Sequence, residues 1–207
     1  MVNGFIIKCI HSVVQTILNS EAEIESLDRA IGDGDHYINI KRGSMAVQSI
    51  ESELTSLPPD QAFKKIGMTL MTSVGGASGP LFASFFLALA KEIKSETNLQ
   101  QFSKGFTSGV KSIMDRGKSK LGDKTMLDVL IPVSEKLQLL ANEGCEKQEL
   151  IKEIDSIAMA GVIATKDMMP SKGRSAGLAE RAIGHIDPGA KTCQLIISTI
   201  CNELKLN

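Results

Sequence analysis

The chain has very few aromatic side chains: of its 207 residues none is Trp, one is Tyr and seven are Phe. Proteins that bind single-stranded nucleic acid stack the bases on aromatic rings, and this composition argues against such a platform. The formal net charge is −1, so the chain also lacks the basic excess that a phosphodiester backbone attracts. We therefore predict no nucleic-acid partner.

Two further features are missing. The four cysteines are scattered and form no CxxC pair, which is typical of a reduced protein, so we expect a cytoplasmic location. No uninterrupted apolar run reaches the ~20 residues that a membrane-spanning helix needs, and we expect no membrane association. Lys8 and His11 interrupt the apolar N-terminal stretch, which favours a helix over a signal peptide.

The sequence does contain helical periodicity. Apolar residues three and four positions apart form stripes in six segments, at 5–17, 63–70, 99–113, 127–140, 150–161 and 193–204. Residues 81–93 are apolar on nearly all sides, which predicts the most buried helix. Pro58 and Pro59 end one helix, and Asp60 is predicted to cap the next. We predict one all-α domain, residues 1–207, folded as an antiparallel helical barrel or bundle.

The polar residues are concentrated in Gly-rich connectors between these stripes. Antiparallel helices place alternate connectors at the same end of a bundle, so we expect a site built from several loops at one rim. The first connector contains three aspartates within eight residues: Asp28, Asp33 and Asp35. Close carboxylates repel one another, and a hard cation such as Mg²⁺ removes that repulsion. The same residues are also typical of an ordinary turn that binds nothing.

A second connector, residues 75–80, reads Gly-Gly-Ala-Ser-Gly-Pro and precedes the apolar segment. Pro80 suits the first turn of a helix, and the free amides there could bind phosphate together with the Ser78 hydroxyl. Small residues would equally suit a tight turn between two helices, and both interpretations stay open. The segment is not a Walker A loop, because no Gly-Lys-Ser/Thr follows at the required spacing.

Other connector residues have two interpretations each. His36 and Asn39 share a helix face and could touch a phosphate or sugar, although an isolated histidine more often serves the local structure. Lys124 could counter phosphate charge, while Asp123 or Thr125 is predicted to cap the following helix. The basic loop 172–177 could clamp an anionic ligand or could simply be an exposed charged loop.

These motifs, in this order, resemble the nucleotide-binding L subunit of dihydroxyacetone kinase. They are residues 27–36, 75–82, 122–126 and 172–190, and the resemblance covers nearly the whole chain. It implies a helical barrel with ADP or ATP bound tightly at its rim and two Mg²⁺ ions held by Asp28, Asp33 and Asp35. The nucleotide-binding residues that it implies are His36, Tyr37, Ile38, Asn39, Ala77, Ser78, Gly117, Met126, Arg174, Asp187, Pro188 and Gly189. Arg174 would stabilise phosphate charge in the transition state, and no residue acts as a nucleophile.

The length of the chain is similar to that of the stand-alone subunit in the phosphotransferase-system branch of the family. ATP-dependent members carry a separate substrate domain on the same polypeptide, for which 207 residues leave no room. In the stand-alone branch ADP stays bound, a phosphohistidine M subunit rephosphorylates it, and the phosphoryl group passes to dihydroxyacetone on the K subunit. We therefore expect K and M subunits as partners, and a homodimer is left open.

Two departures from the family pattern keep alternatives open. Tyr37 replaces a common glycine, and the segment from Arg174 to Arg181 reads Arg-Ser-Ala-Gly-Leu-Ala-Glu-Arg where the family commonly has Arg-Ala-Ser-Tyr-Leu-Gly-Glu-Arg. Gly177 thus replaces an aromatic residue. The alternatives are a nucleotide-binding regulatory module without turnover, and the L-type subunit of a kinase for another substrate.

Overall fold

The structure is a computed structural model that describes residues 2–94 and 96–206. These residues form ten α-helices and two 3-10 segments, Thr165–Asp167 and Arg174–Ala182, and contain no β-strand. The helices are α1 (Val2–Asn19), α2 (Glu21–Ile31), α3 (His36–Ser49), α4 (Glu51–Ser56), α5 (Pro59–Ser73), α6 (Ser78–Glu92), α7 (Leu99–Gly117), α8 (Leu127–Glu143), α9 (Lys147–Ala164) and α10 (Pro188–Leu206). The predicted all-α class is confirmed.

Eight helices form a closed ring. Helix α1 packs on α3, α3 packs on α5, each helix from α5 to α10 packs on the next, and α10 returns to α1. The closing pair is antiparallel, because Ser12 bonds Glu203 and Thr16 bonds Thr199. The predicted antiparallel barrel is therefore confirmed. None of the described helices is both long enough and apolar enough to cross a lipid bilayer.

The interior consists of two clusters of buried apolar side chains. The larger lies mainly between α6, α7, α8, α9 and α10, and the smaller between α1, α2, α3 and α5. Three half-buried phenylalanines, Phe63, Phe82 and Phe86, pack against both clusters. This contact favours the predicted single domain, which stays a prediction.

The prediction that residues 81–93 form the most buried helix was wrong. Helix α6 buries four residues fully, whereas α8 buries ten. Most apolar side chains of α6 are only half-buried. Helix α8 is buried more completely because seven of its apolar residues belong to the larger cluster, against two from α6.

The predicted cap at Asp60 was also wrong. Helix α5 begins at Pro59, with Pro58 in the capping position and extended backbone. Proline at the first helical position loses no hydrogen bond, because the amide there has no partner inside the helix. Asp60 lies in the first turn instead, where its negative charge still favours the helix dipole.

Candidate nucleotide and metal site

The connectors α2–α3, α5–α6, α7–α8 and α9–α10 lie at one end of the barrel and contact one another. The contacts run from Asp33 to Arg174, from His36 to Thr192, from Asn39 to Gly75, from Leu81 to Gly117 and from Met126 to Gly189. Residues more than 150 positions apart in sequence therefore meet, as His36 and Thr192 do. The structure brings most of the predicted site residues to this rim.

The three predicted metal ligands lie together. One carboxylate oxygen from each of Asp28, Asp33 and Asp35 can be chosen so that all three lie within 4.8 Å of one another. Asp28 is 3% exposed and accepts a hydrogen bond of 2.9 Å from the main-chain amide of His36, whereas the other two are exposed. Oxygen ligands of this kind suit Mg²⁺, which completes its shell with water and phosphate.

The two glycines of this turn have different physical roles. A side chain at Gly32 would overlap the carboxylate of Asp28, so residue 32 must be glycine if that carboxylate is to keep its position. Gly34 has φ of 79°, in the left-handed region where residues with a Cβ atom are strained. Both glycines are thus needed to wrap the aspartates around one point.

His36 begins α3 directly beside the aspartates. Its Nε2 atom lies 2.9 Å from the hydroxyl of Thr192, which itself donates to the carbonyl oxygen of Pro188. Burial lowers the pKa of His36, although Asp28, Asp35 and Asp33 act to raise it. The imidazole thus joins the start of α3 to the start of α10 and fixes two sides of the site.

Residues 37–39 differ in where their side chains point. Tyr37 is 3% exposed and belongs to the smaller core cluster, so its side chain faces away from the rim. Any contact of Tyr37 with a nucleotide would therefore be made by its backbone atoms. The residue is helical and not left-handed, so the replacement of glycine here costs no strain. Ile38 is 53% exposed, and Asn39 is 7% exposed.

The loop before α6 has features of both interpretations left open by the sequence. No side chain caps the start of α6, so the amides of its first turn are available to a ligand beside Ala77 and Ser78. Gly79, by contrast, serves packing, because a Cβ atom there would overlap the carbonyl oxygen of Val74. The predicted position of Pro80 in the first turn is confirmed.

The predicted nucleoside contacts lie near α6 and the start of α10. A Cβ atom at Gly117 would lie 3.5 Å from Leu81, and one at Gly189 would lie 3.8 Å from the amide nitrogen of Met126. Met126 is only 6% exposed and packs in the larger core cluster. Asp187 accepts a hydrogen bond of 2.7 Å from the amide of Ala190, which caps α10.

The suggestion that Lys124 counters phosphate charge was wrong. The side chain has no exposed surface, and its ammonium donates to the carbonyl oxygens of Thr165 and His185 at 2.5 and 2.6 Å. Burial lowers the pKa of Lys124, although the nearby Asp187 acts to raise it. Lys124 therefore joins three loops from inside and is not positioned to contact a ligand.

The predicted caps of α8 differ as well. Met126 occupies the capping position without a side-chain hydrogen bond, and the Thr125 hydroxyl accepts at 3.2 Å from the amide of Leu127. Asp123 instead bonds Ser119, Ser171 and the amide of residue 120. It ties the α7–α8 loop to the start of the basic loop.

Arg174, the predicted clamp, lies beside the aspartates. Its Nε atom donates to Asp33 at 2.9 Å, and the two side chains are 61% and 39% exposed. Farther along the same segment Ala179 has φ of 49° and ψ of −127°, a conformation that residues with a Cβ atom rarely adopt. A Cβ atom at Gly177 would have no neighbour within 4 Å, so the residue that replaces the aromatic faces open space.

Two residues of the site were missed by the sequence analysis. Arg42 contacts Asn39 from one helical turn away, and its spacing of three residues on α3 was a usable signal. Thr192 supports His36 from α10, and no local pattern in the sequence could have paired them.

Comparison with known proteins places this arrangement in a family. Residues 30–202 match the DAK2 domain. The chain belongs to the DAK2 domain family. An ADP-binding subunit DhaL of the PEP-dependent dihydroxyacetone kinase 2 from Listeria innocua is 38% identical over 186 residues, which are 88% of this chain and 86% of that protein. The corresponding subunit from Escherichia coli is 37% identical over 192 residues, 91% of each chain.

A solved structure shares the fold. The dihydroxyacetone kinase from C. freundii, crystallised with AMP-PNP and Mg²⁺, superposes with a TM-score of 0.75 at 23% sequence identity. The match covers 95% of this chain, which spans about a third of the length of that kinase chain. It shows that this DAK2 chain and part of the larger kinase have the same helical architecture.

Proposed function

We propose that this DAK2 chain is the ADP-holding subunit of a phosphoenolpyruvate-dependent dihydroxyacetone kinase. The observation that carries the proposal is the meeting of three carboxylates, with oxygens within 4.8 Å, at a rim that also holds Arg174 and an uncapped helix start. The 38% identity to a subunit named as ADP-binding, over 86% of its length, supports it.

The metal ligands of the proposal are Asp28, Asp33 and Asp35, which would hold two Mg²⁺ ions. Their donor set is oxygen only, which fits a hard cation, and bound Mg²⁺ cancels charge on phosphate oxygens. Asp28 is buried and fixed by the amide of His36, so it provides the rigid ligand. The exposed Asp33 and Asp35 can adjust to the bound phosphates.

The remaining residues position the diphosphate. The uncapped amides at the start of α6 favour the binding of an anion. Arg174, held at the site by Asp33, provides a positive charge for the same anion. Phosphoryl transfer needs mainly positioning and charge cancellation, so no nucleophile from this chain is required.

Two partners complete the proposed reaction. On the M subunit the N–P bond of phosphohistidine breaks as an oxygen of the terminal ADP phosphate bonds to phosphorus. That new P–O bond then breaks as a hydroxyl oxygen of dihydroxyacetone, held on the K subunit, takes the phosphoryl group and loses its proton to water or to a base of that subunit. ADP remains on this chain at the end of each cycle.

The test is retention and turnover of nucleotide. Mass spectrometry of the untreated protein should detect ADP, and phosphate from a phosphorylated M subunit should reach this ADP only with Mg²⁺ present. Asp33→Asn should abolish transfer while the helical content measured by circular dichroism is unchanged. Asp60→Asn, at the opposite end of the barrel, is the matched control and should transfer normally. A wild-type protein that neither binds ADP nor accepts phosphate would refute the proposal.

A nucleotide-binding regulatory module without turnover is the second candidate. The strained Ala179 and the missing aromatic at Gly177 favour it, because both lie in the loop that carries Arg174. Nucleotide binding without transfer from any M partner would select this candidate. Transfer to a carbonyl compound other than dihydroxyacetone, with a different K-type partner, would select an L-type subunit of another kinase.

A further inference from the structure

Asn39 and Arg42 are joined by a hydrogen bond at the edge of the phosphate side of the rim. The Nη2 atom of Arg42 donates to Oδ1 of Asn39 at 2.6 Å, and its Nε atom donates to the carbonyl oxygen of Ser73 at 2.6 Å. Ser73 is the last residue of α5, two positions before the Gly-rich loop at 75–80. Arg42 therefore spans from α3 to the start of that loop.

This bond fixes the orientation of the Asn39 amide. A guanidinium group has only donors, so the atom of Asn39 that it contacts must be the oxygen. The amide NH₂ group then points the other way, toward the loop, where a Cβ atom at Gly76 would lie 3.7 Å from it. Asn39 is only 7% exposed, and its Nδ2 atom has no acceptor among residues 2–94 and 96–206.

The loop is built around this pair. A Cβ atom at Gly75 would overlap the amide oxygen of Asn39 and would lie 2.5 Å from Nη2 of Arg42. The backbone at residue 75 thus packs directly against the hydrogen-bonded atoms of Arg42 and Asn39. Any side chain there would have to displace the buried amide, since Asn39 is short and enclosed.

We propose that Arg42 is a positioning residue: by holding Oδ1 of Asn39 it aims the Nδ2 group of Asn39 at the phosphate chain of the nucleotide. The inference rests on the proposed function, because it needs a nucleotide phosphate at the Gly-rich loop. The unpaired Nδ2 group retains some solvent-exposed surface, so a phosphate oxygen can reach it and accept a charge-assisted hydrogen bond. Without Arg42 the Asn39 amide is free to rotate, and its Nδ2 group is no longer held in the direction of the phosphate.

The experiment is a double-mutant cycle on nucleotide affinity. Arg42→Ala and Asn39→Ala should each weaken Mg·ADP binding about tenfold in isothermal titration, the loss expected for one charge-assisted hydrogen bond. Adenosine, which has no phosphate, should bind all three proteins equally. If Arg42 acts through Asn39, the double variant should bind Mg·ADP no more weakly than Asn39→Ala. Arg42→Lys should restore part of the affinity, because lysine can still donate to Oδ1.

Gly75→Ala offers an independent approach to the same bond and should reproduce the phosphate-dependent loss while Arg42 is present. Lys104→Ala removes an exposed positive charge on α7 and should change nothing. Equal Mg·ADP affinity in Arg42→Ala and wild type, additive effects in the double variant, or an equal loss for adenosine would each overturn the inference. In all three cases wild-type Mg·ADP binding keeps the proposed function intact. Absence of Mg·ADP binding by the wild type would remove both.

Discussion

The ammonium group of Lys124 donates a hydrogen bond of 2.6 Å to the carbonyl oxygen of His185 from a side chain without exposed surface. The same group bonds Thr165, so a single cation serves carbonyls on either side of the basic loop. Lys124 itself has φ of 59°, which shows that its backbone is held in an unfavourable conformation to reach them.

Lys124→Met should therefore destabilise the fold. The methionine fills a similar volume but removes the short hydrogen bonds to the carbonyl oxygens of Thr165 and His185, and only Thr165 keeps another donor, the amide of Met168. Loss of these charge-assisted bonds should lower the unfolding free energy by about 2–4 kcal/mol. Urea unfolding followed by circular dichroism measures the loss. Lys120→Met, in the same loop but exposed, should change stability by less than about 0.5 kcal/mol. Equal stability of the two variants would contradict the buried role.

Ala179→Gly should stabilise the protein. Ala179 has a positive φ that its Cβ atom disfavours, and glycine adopts this conformation without strain, for a gain of about 1 kcal/mol. The common family pattern has glycine at this position. Ala176→Gly is the control, because residue 176 has no positive φ and glycine there should lower stability slightly. A loss of stability in Ala179→Gly would show that this backbone conformation is not populated.

Gly32→Ala should impair metal-dependent binding more than folding. The added methyl group would overlap the carboxylate of Asp28 and move the one buried side chain among the three aspartates. We expect the thermal stabilisation of the protein by Mg·ADP to fall by the equivalent of at least a tenfold loss of affinity. Gly177→Ala, which meets no neighbouring atom, should keep the full stabilisation. An unchanged Mg·ADP shift in Gly32→Ala would argue against Asp28 as a ligand.

Asp187→Asn should alter how stability depends on pH. Burial raises the pKa of Asp187 to about 7, although the amide of Ala190 acts to lower it. A carboxyl whose pKa is raised by folding stabilises the folded state in full at pH values below the pKa that it has in the unfolded chain. This contribution to stability is lost as the pH rises through about 7. Asparagine still accepts from Ala190 but does not titrate.

The stability of Asp187→Asn relative to wild type should therefore increase from pH 4 to pH 8. Urea unfolding of the nucleotide-free proteins across this range measures the difference. Asp60→Asn, in the first turn of α5, controls for the loss of one carboxylate near a helix start. Parallel curves for wild type and Asp187→Asn would show that Asp187 titrates normally.

The sequence predicted the helices and the shared rim well because both depend on local patterns. Apolar spacing reports helix faces, and antiparallel neighbours bring alternate loops to one end. The acidic turn was also recognisable, since Asp28, Asp33 and Asp35 lie within one short segment and meet in the structure. The assignment of these residues to Mg²⁺ stays a prediction.

Roles set by distant packing could not be predicted from local pattern. Lys124 looked like a phosphate ligand because basic residues in Gly-rich loops usually face solvent, yet its partners are 41 and 61 residues away. The burial of α6 was overestimated for the same reason: hydrophobicity does not say how many neighbours a helix has. The spacing of Arg42 from Asn39 was a local signal, but the contact of both residues with Gly75 depends on packing between α3 and the loop after α5.

The antiparallel contact of α1 with α10 has a practical consequence. Both the beginning of α1 and the end of α10 lie at the barrel end opposite the rim, since α10 starts at the rim with Pro188. A fluorescent label or surface tether attached in the last turn of α10 would thus lie about 25 Å from the rim, close to the length of a helix of this size. The rim of a tethered molecule would then remain accessible to nucleotide and to soluble partner proteins.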